Sequence, residues 1–252
     1  MTGIMEGKKG IIFGVANDHS MAWGIAKALH DEGAEIALNY MGDIMEKRVR
    51  PLGESINAPV IMPANVQDDA SLDAFFAEVE KKFGKIDFLL HAVAFSNKEE
   101  LSGLFVEKTT RENFKNTMDI SVYSFCDLCR RASKIMNEGG SCATLTYLGG
   151  EYYIPNYNVM CCISCRTVNL GAVLSGESSA AVTGISAVGV NDDLTSGKTC
   201  IAVRSSDHET SGRIDEYLCV GINHVLWKNG IEYVFLDVFV DLLLGNIFIV
   251  LG

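Results

Sequence analysis

The run Lys9-Gly-Ile-Ile-Phe-Gly14 is apolar on successive residues, closes on a glycine and leads into a helical pattern from Met21 to Glu32. A strand with no polar face must be covered on both sides, which is the position of a central strand in a parallel sheet flanked by helices. Glycine at the strand end lets the backbone approach a diphosphate, and the following helix points its free N–H groups and positive dipole end at such an anion. The common G-x-G-x-x-G spacing is absent. On its own residues, the turn fits either an anion cradle or a simple chain reversal.

The pattern repeats downstream. Gly33 stops the helix, and residues 33–40 read as a second strand. Pro59-Val-Ile-Met reads as a third strand, Asp69 to Phe83 as an amphipathic helix, and Lys85 to Ala94 as a fourth strand. A helix from about Thr110 to Met136, broken near Met118-Asp119, precedes a fifth strand, Ser141 to Tyr147. Strands alternating with helices predict an α/β fold: a Rossmann-like, doubly wound parallel sheet with helices on both faces. The 252 residues are expected to form a single dinucleotide-binding domain.

Composition excludes some partners. A formal charge of −11 argues against nucleic acid, because phosphate binding needs a basic surface. An acidic protein partner would need a local basic patch, for which Lys47-Arg48-Val-Arg50 and the Arg130/Arg131 pair are the candidates. The first residues show no apolar core of signal-peptide length, so the eight cysteines are expected as thiols in a cytoplasmic protein. The apolar run from Val234 to Leu251 contains Asp237 and Asp241, each costing roughly 2.5–3.5 kcal/mol near the centre of a membrane helix. It reads as a buried helix followed by a strand from Asn246, with no membrane span.

Longer motifs carry a resemblance. Gly14-x5-Ser20-x-Ala-Trp-Gly-Ile-Ala, Tyr40-x-Gly-Asp43, His91-Ala-Val-Ala-Phe-Ser96, Asp119-Ile-Ser-Val-Tyr-Ser-Phe125 and Tyr147-Leu-Gly-Gly150 to Ile154-Pro-Asn-Tyr-Asn-Val-Met160 resemble the bacterial NADH-dependent enoyl-acyl carrier protein reductases. These are divergent members of the short-chain dehydrogenase/reductase family. The resemblance is nearly continuous over residues 1–160 and weak in 161–252. It implies an oxidoreductase of fatty-acid biosynthesis, and so of lipid metabolism, that uses NADH, acts on an enoyl substrate linked to acyl carrier protein and assembles as a homotetramer.

By that resemblance, Gly14, Ala16, Ser20 and Met21 line the diphosphate and ribose, and Asn65 and Val66 flank the adenine. Ala92, Val93 and Ala94 pass beneath the ribose-nicotinamide half, and Ile120, Leu145 and Ile185 lie near the ring. Phe95, Ser96, Leu101 and Met160 are the implied substrate contacts, and Tyr147 and Tyr157 the implied catalytic pair. Asn65 replaces an expected Asp, and Met41 follows Tyr40 where a polar residue is common. No basic residue directly follows the second strand, which favours NADH over NADPH.

The main departure concerns charge. The family places a lysine seven residues after the second tyrosine, where this chain has Ser164. No lysine occurs between Lys134 and Lys198. Arg166 is the nearest cation, yet two residues along a helix rotate a side chain by about 200°. The expectation is weakened cofactor binding and a large loss of rate, with a catalytically impaired nucleotide-binding relative as the alternative function. Only five of the 21 Lys+Arg residues follow Met160, a shift that marks either a domain boundary or a segment that has drifted or been altered. Cys126-x2-Cys129 and Cys162-x2-Cys165 have the spacing of zinc ligands, but cysteines on helical faces serve as small apolar fillers. The filler reading is taken, with no metal.

Overall fold

The computed structural model describes residues 3–150, 153–164, 166–167, 181–187, 200–204 and 218–221. The apolar runs become strands β1 (Lys9–Phe13), β2 (Glu35–Tyr40), β3 (Val60–Pro63), β4 (Ile86–His91), β5 (Met136–Tyr147), β6 (Ala181–Ala187), β7 (Cys200–Arg204) and β8 (Leu218–Gly221). They form one sheet in the order β3-β2-β1-β4-β5-β6-β7-β8. From β3 across to β6 every pairing is parallel, as the strand-helix alternation predicts. β7 and β8 add two antiparallel pairings that the sequence did not suggest, because the small, polar stretch around β7 carries no clean period. The expected helix and final strand beyond residue 230 lie outside the described residues. No helix among the described residues is long and apolar enough to cross a membrane.

Helices cover both faces. α1 (Met21–Asp31) and α2 (Gly42–Ser55) pack with Ile12, Leu38 and Leu90 on one side. α3 (Asp69–Phe83) and α6 (Ser124–Ala132) pack with Ile11, Phe13 and Leu89 on the other. Successive β1 residues therefore serve opposite cores, which is why the strand has no polar face. α3 has the bounds expected from the sequence and begins where Asp68 accepts from the N–H groups of Ala70 and Ser71, a side-chain cap. α2 was not read, since Pro51 sits inside it, where proline is ordinarily a breaker. The expected break near Met118-Asp119 is a π turn, Asp119–Tyr123, joining α5 (Arg111–Met118) to α6. A short helix α4 (Phe105–Lys108) precedes it, and residues 159–164 and 166–167 are helical (α7).

Charge also locks α6 to α3. Arg131 is 8% exposed and donates to Asp127 at 2.8 Å, to Asp69 at 2.6 Å and to Asp73. Burial pushes the Asp127 carboxyl up, but hydrogen bonds from Arg131 and Arg130 outweigh it and hold it below its ordinary value. This corrects one expectation: Arg131 is enclosed among carboxylates and Arg130 pairs with Asp127, so neither guanidinium is a free basic patch. Cys129 and Cys142 are both buried in the second core. The hydrogen bond that Cys129 shares with Cys142, together with burial, pushes the Cys129 thiol up. Cys165, the last member of the suggested zinc set, lies outside the described residues.

Phe13, Phe75 and Phe76 form the centre of that second core, with ring centroids 5.2, 5.9 and 6.4 Å apart. Phe75 is fully buried. Phe75→Ala is expected to cost roughly 3–5 kcal/mol in chemical denaturation, whereas Val106→Ala, on an 86% exposed residue, should stay within about 0.5 kcal/mol. Equal losses in both would refute this account of the core.

Candidate active site

The parallel strands all release their chains at one edge of the sheet. Gly14 leaves β1 there with φ 104°, a conformation that favours glycine. A Cβ on it would stand 2.1 Å from the Ala92 carbonyl oxygen. The Ala92 N–H in turn donates to the Phe13 carbonyl at 2.9 Å, so the ends of β1 and β4 meet without an intervening side chain. The Ser20 hydroxyl accepts from the Ala16 N–H at 3.3 Å and donates to the Asn17 carbonyl at 2.7 Å, folding the loop over the start of α1. No acidic residue occupies the first turn of α1, which leaves its positive end open to an anion.

The remaining expected residues fall at the same edge. Asn65 and Val66 follow β3, the Asn65 side-chain oxygen accepting from the Gln67 N–H at 3.1 Å. Ala92, Val93 and Ala94 continue from β4, and Ile120 lies in the π turn. Leu145 lies in β5 and is paired in register with Ile185 of β6. Phe95 is 47% exposed, and its N–H donates to the Ser121 hydroxyl at 3.0 Å. Ser96 accepts from Asn113 at 3.1 Å, while Leu101 and Met160 are half-buried. At the end of β2, Arg50 reaches the Tyr40 hydroxyl at 3.2 Å but is held by Glu46 at 2.6 Å.

Tyr147 ends β5, and its ring centroid lies 4.8 Å from that of Tyr157, tilted by 59°. Burial pushes the Tyr157 phenol up, Ser164 pulls it partly back, and Tyr147 and Cys161 raise it further. The phenol therefore keeps its proton throughout the neutral range. Ser164 is buried, its hydroxyl within hydrogen-bond reach of both the Met160 carbonyl, at 3.1 Å, and the Tyr157 phenol, and its own carbonyl accepts from Thr146 at 3.1 Å. It supplies no charge. Arg166 is exposed, as the helical rotation predicts.

Three supporting residues escaped the sequence reading. Gly149 lets the tyrosines meet: a Cβ there would stand 2.7 Å from the Tyr157 ring and 3.3 Å from that of Tyr147. Asn158 is buried with φ 42°, and its amide donates to the Glu100 carbonyl at 2.7 Å. The Glu100 carboxylate accepts from Thr110 and Asn113, and these bonds outweigh burial and lower its pKa. A glycine and paired asparagines around a tyrosine were the available signal, since both types tolerate positive φ.

Strand order 3-2-1-4-5-6 with a glycine turn at the point where the order reverses defines a dinucleotide-binding α/β protein. The family model described as enoyl-(acyl carrier protein) reductase matches residues 14–187, and the chain belongs to that family. It is 54% identical over 159 residues to enoyl-[acyl-carrier-protein] reductase [NADH] 1 of Rhizobium meliloti (strain 1021), covering 63% of this chain and 58% of that protein. The chain thus spans less than two thirds of that relative's length. The crystal structure of the reductase from Anaplasma phagocytophilum in complex with NAD superposes with a TM-score of 0.67 at 44% identity, covering 70% of this chain and 68% of that one. The NADH reductase of Aquifex aeolicus VF5 gives 0.72 at 35% identity, covering 77% and 79%.

His91, buried at the end of β4, is pushed by desolvation down to about 4. Between about pH 6.5 and 4 the unfolded chain binds a proton that the native chain refuses, so stability falls as pH falls, by about 3 kcal/mol in all. Denaturation curves at several pH values should show this loss, with a smaller slope in His91→Asn. An identical slope in the variant would place the pH dependence elsewhere.

Proposed function

We propose that this chain, as one dinucleotide-binding domain over residues 1–252, reduces the double bond of an enoyl thioester carried on acyl carrier protein, with NADH as reductant. The observation that carries the proposal is the Tyr147–Tyr157 pair at the carboxyl edge of the sheet, with the Tyr157 phenol held protonated. The residues present fit the cofactor at its diphosphate end, where a glycine without Cβ and a helix start without acid form an open cradle. Bound there, the nicotinamide supplies a hydride to the β-carbon of the substrate.

The chain's own residues do the rest. Gly14, Ala16, Ser20 and Met21 bind the diphosphate half, and Asn65 and Val66 flank the adenine. The Glu46 carboxylate keeps Arg50 occupied, which supports NADH over a cofactor with an added phosphate. Ala92 to Ala94, Ile120, Leu145 and Ile185 shape the pocket of the ring. Phe95, Ser96, Leu101 and Met160 line the acyl path. The Tyr157 hydroxyl donates to the oxygen on which enolate charge develops, and Tyr147 braces its ring. Ser164 holds the lysine's place without its charge, so the reaction proceeds slowly. Exposed Phe114 and Tyr123 beside α6 support a subunit contact in a homotetramer, and exposed Lys47 and Arg48 support docking of an acidic carrier protein. The setting proposed is the cytoplasm.

The test is an NADH titration followed by NADH oxidation with a short enoyl thioester. Binding with slow turnover is expected, and Tyr157→Phe should lower kcat by about 10²–10⁴-fold. Unchanged turnover in Tyr157→Phe, or no binding of NADH, would overturn the proposal. Ser164→Lys should tighten NADH about tenfold, the scale of one charge-assisted hydrogen bond, and raise kcat. A lysine there that changes neither constant would show that charge at this position is not what limits the chain.

A further inference from the structure

His91 is enclosed between two hydroxyls, and they decide which of its nitrogens carries the proton. Its ring is 1% exposed. Nδ1 lies 2.9 Å from Thr144 Oγ1 on β5, and Nε2 lies 2.8 Å from Ser124 Oγ at the start of α6. The Ser124 hydroxyl also reaches the Ile120 carbonyl at 2.5 Å. A hydroxyl has a single proton to give. Since Ser124 gives its proton to Ile120, its oxygen can only accept from His91, and Nε2 must carry the hydrogen. Nδ1 is then an acceptor, filled by the Thr144 hydroxyl. The chain of bonds runs one way, from Thr144 through His91 and Ser124 to the backbone carbonyl of Ile120.

That carbonyl belongs to the π turn. The Ser124 N–H bonds to the Asp119 carbonyl, five residues back rather than four, so it no longer serves Ile120 as it would in an α-helix. The Ser124 hydroxyl takes its place. Burial keeps the imidazole neutral at ordinary pH, and neutrality is what the one-way chain requires.

We propose that His91 is a positioning residue which, as the Nε2–H imidazole, holds Ser124 and thereby the π turn, so that Ile120 keeps a fixed place. Its consequence for catalysis rests on the proposed reading of Ile120 as a nicotinamide contact. The geometry itself does not depend on that reading. A histidine that only filled space would make no demand on tautomer and would leave Ile120 unmoved when replaced by a ring of similar size.

The full chain has five histidines, so its imidazole ¹⁵N spectrum is tractable, and His91 is the signal lost in His91→Phe. The expected pattern is a neutral Nε2–H ring that persists down to about pH 5, a unit above its pKa. With isoleucine methyl labelling, the Ile120 signal should shift in His91→Phe and in Ser124→Ala. It should return toward the parent position in His91→Gln, whose amide offers one donor and one acceptor. With saturating NADH and enoyl thioester, kcat should fall about ten- to a hundredfold in His91→Phe and recover in His91→Gln. An Nδ1–H ring, or an Ile120 methyl that is unmoved in Ser124→Ala, overturns the proposal. If the parent oxidises no NADH, the catalytic reading fails while tautomer and methyl shift still decide this one. Should His91→Phe not fold, Ser124→Ala carries the methyl measurement and assigns nothing else to the ring.

Discussion

The contact on which the architecture turns is the bare approach of Gly14 to the Ala92 carbonyl. β1 is central, with β2 on one side and β4 on the other, and the strand order reverses between them. At that reversal the loops leaving the two strands part in opposite directions and open a crevice. Any side chain at position 14 would fill the place where β1 and β4 close, and the backbone could not hold φ 104° without strain. The cradle at α1 and the run Ala92 to Ser96 both start from this one junction.

Much of this was legible because apolar runs of strand length and amphipathic helices of unlike period lie next to one another. α3 was read from its amphipathic pattern, Leu72, Phe75, Phe76 and Val79 repeating at helical spacing, and its bounds match the structure, where Asp68 caps its start and Gly84 follows its end. α2 was missed because its apolar positions are few and Pro51 interrupts it. Within the site, the tyrosines and the glycine turn were visible because their chemistry is carried by residue type. Gly149, Asn158 and Glu100 were not. Gly149 acts locally against the Tyr147 and Tyr157 rings, whereas Asn158 and Glu100 act between segments distant in sequence, where no local pattern announces a hydrogen bond such as that from Asn158 to the Glu100 carbonyl. The antiparallel run of β7 and β8 was hidden for a similar reason, because strand direction is a property of pairing rather than of composition.

Polar atoms are distributed by a consistent logic around the pocket. The Arg131 network ties α6 to α3 with charge, the arginine and Asp127 buried and the α3 carboxylates Asp69 and Asp73 largely exposed. At the carboxyl edge several ties are neutral, Thr144, His91 and Ser124 on one side and Thr146 to the Ser164 carbonyl on the other, while the Glu100 carboxylate is the ionised exception. Neutral ties cost less to bury than ions. Ser164 belongs to the same neutral set.

Tyr157 sits between two residues wound in the left-handed sense, Asn156 at φ 60° and Asn158 at φ 42°. Few side chains accept that winding; glycine, asparagine and aspartate do so most readily. Aspartate at 158 would set a carboxylate against the carbonyls of Glu100 and Gly103, and glycine there would abandon both bonds. The turn that presents the phenol therefore has a narrow vocabulary, although Asn156 is open to solvent. Surface exposure ordinarily signals freedom to vary. At this turn the backbone withdraws that freedom, and a lineage could alter the fold's buried core by many small steps before it could rewrite these two letters.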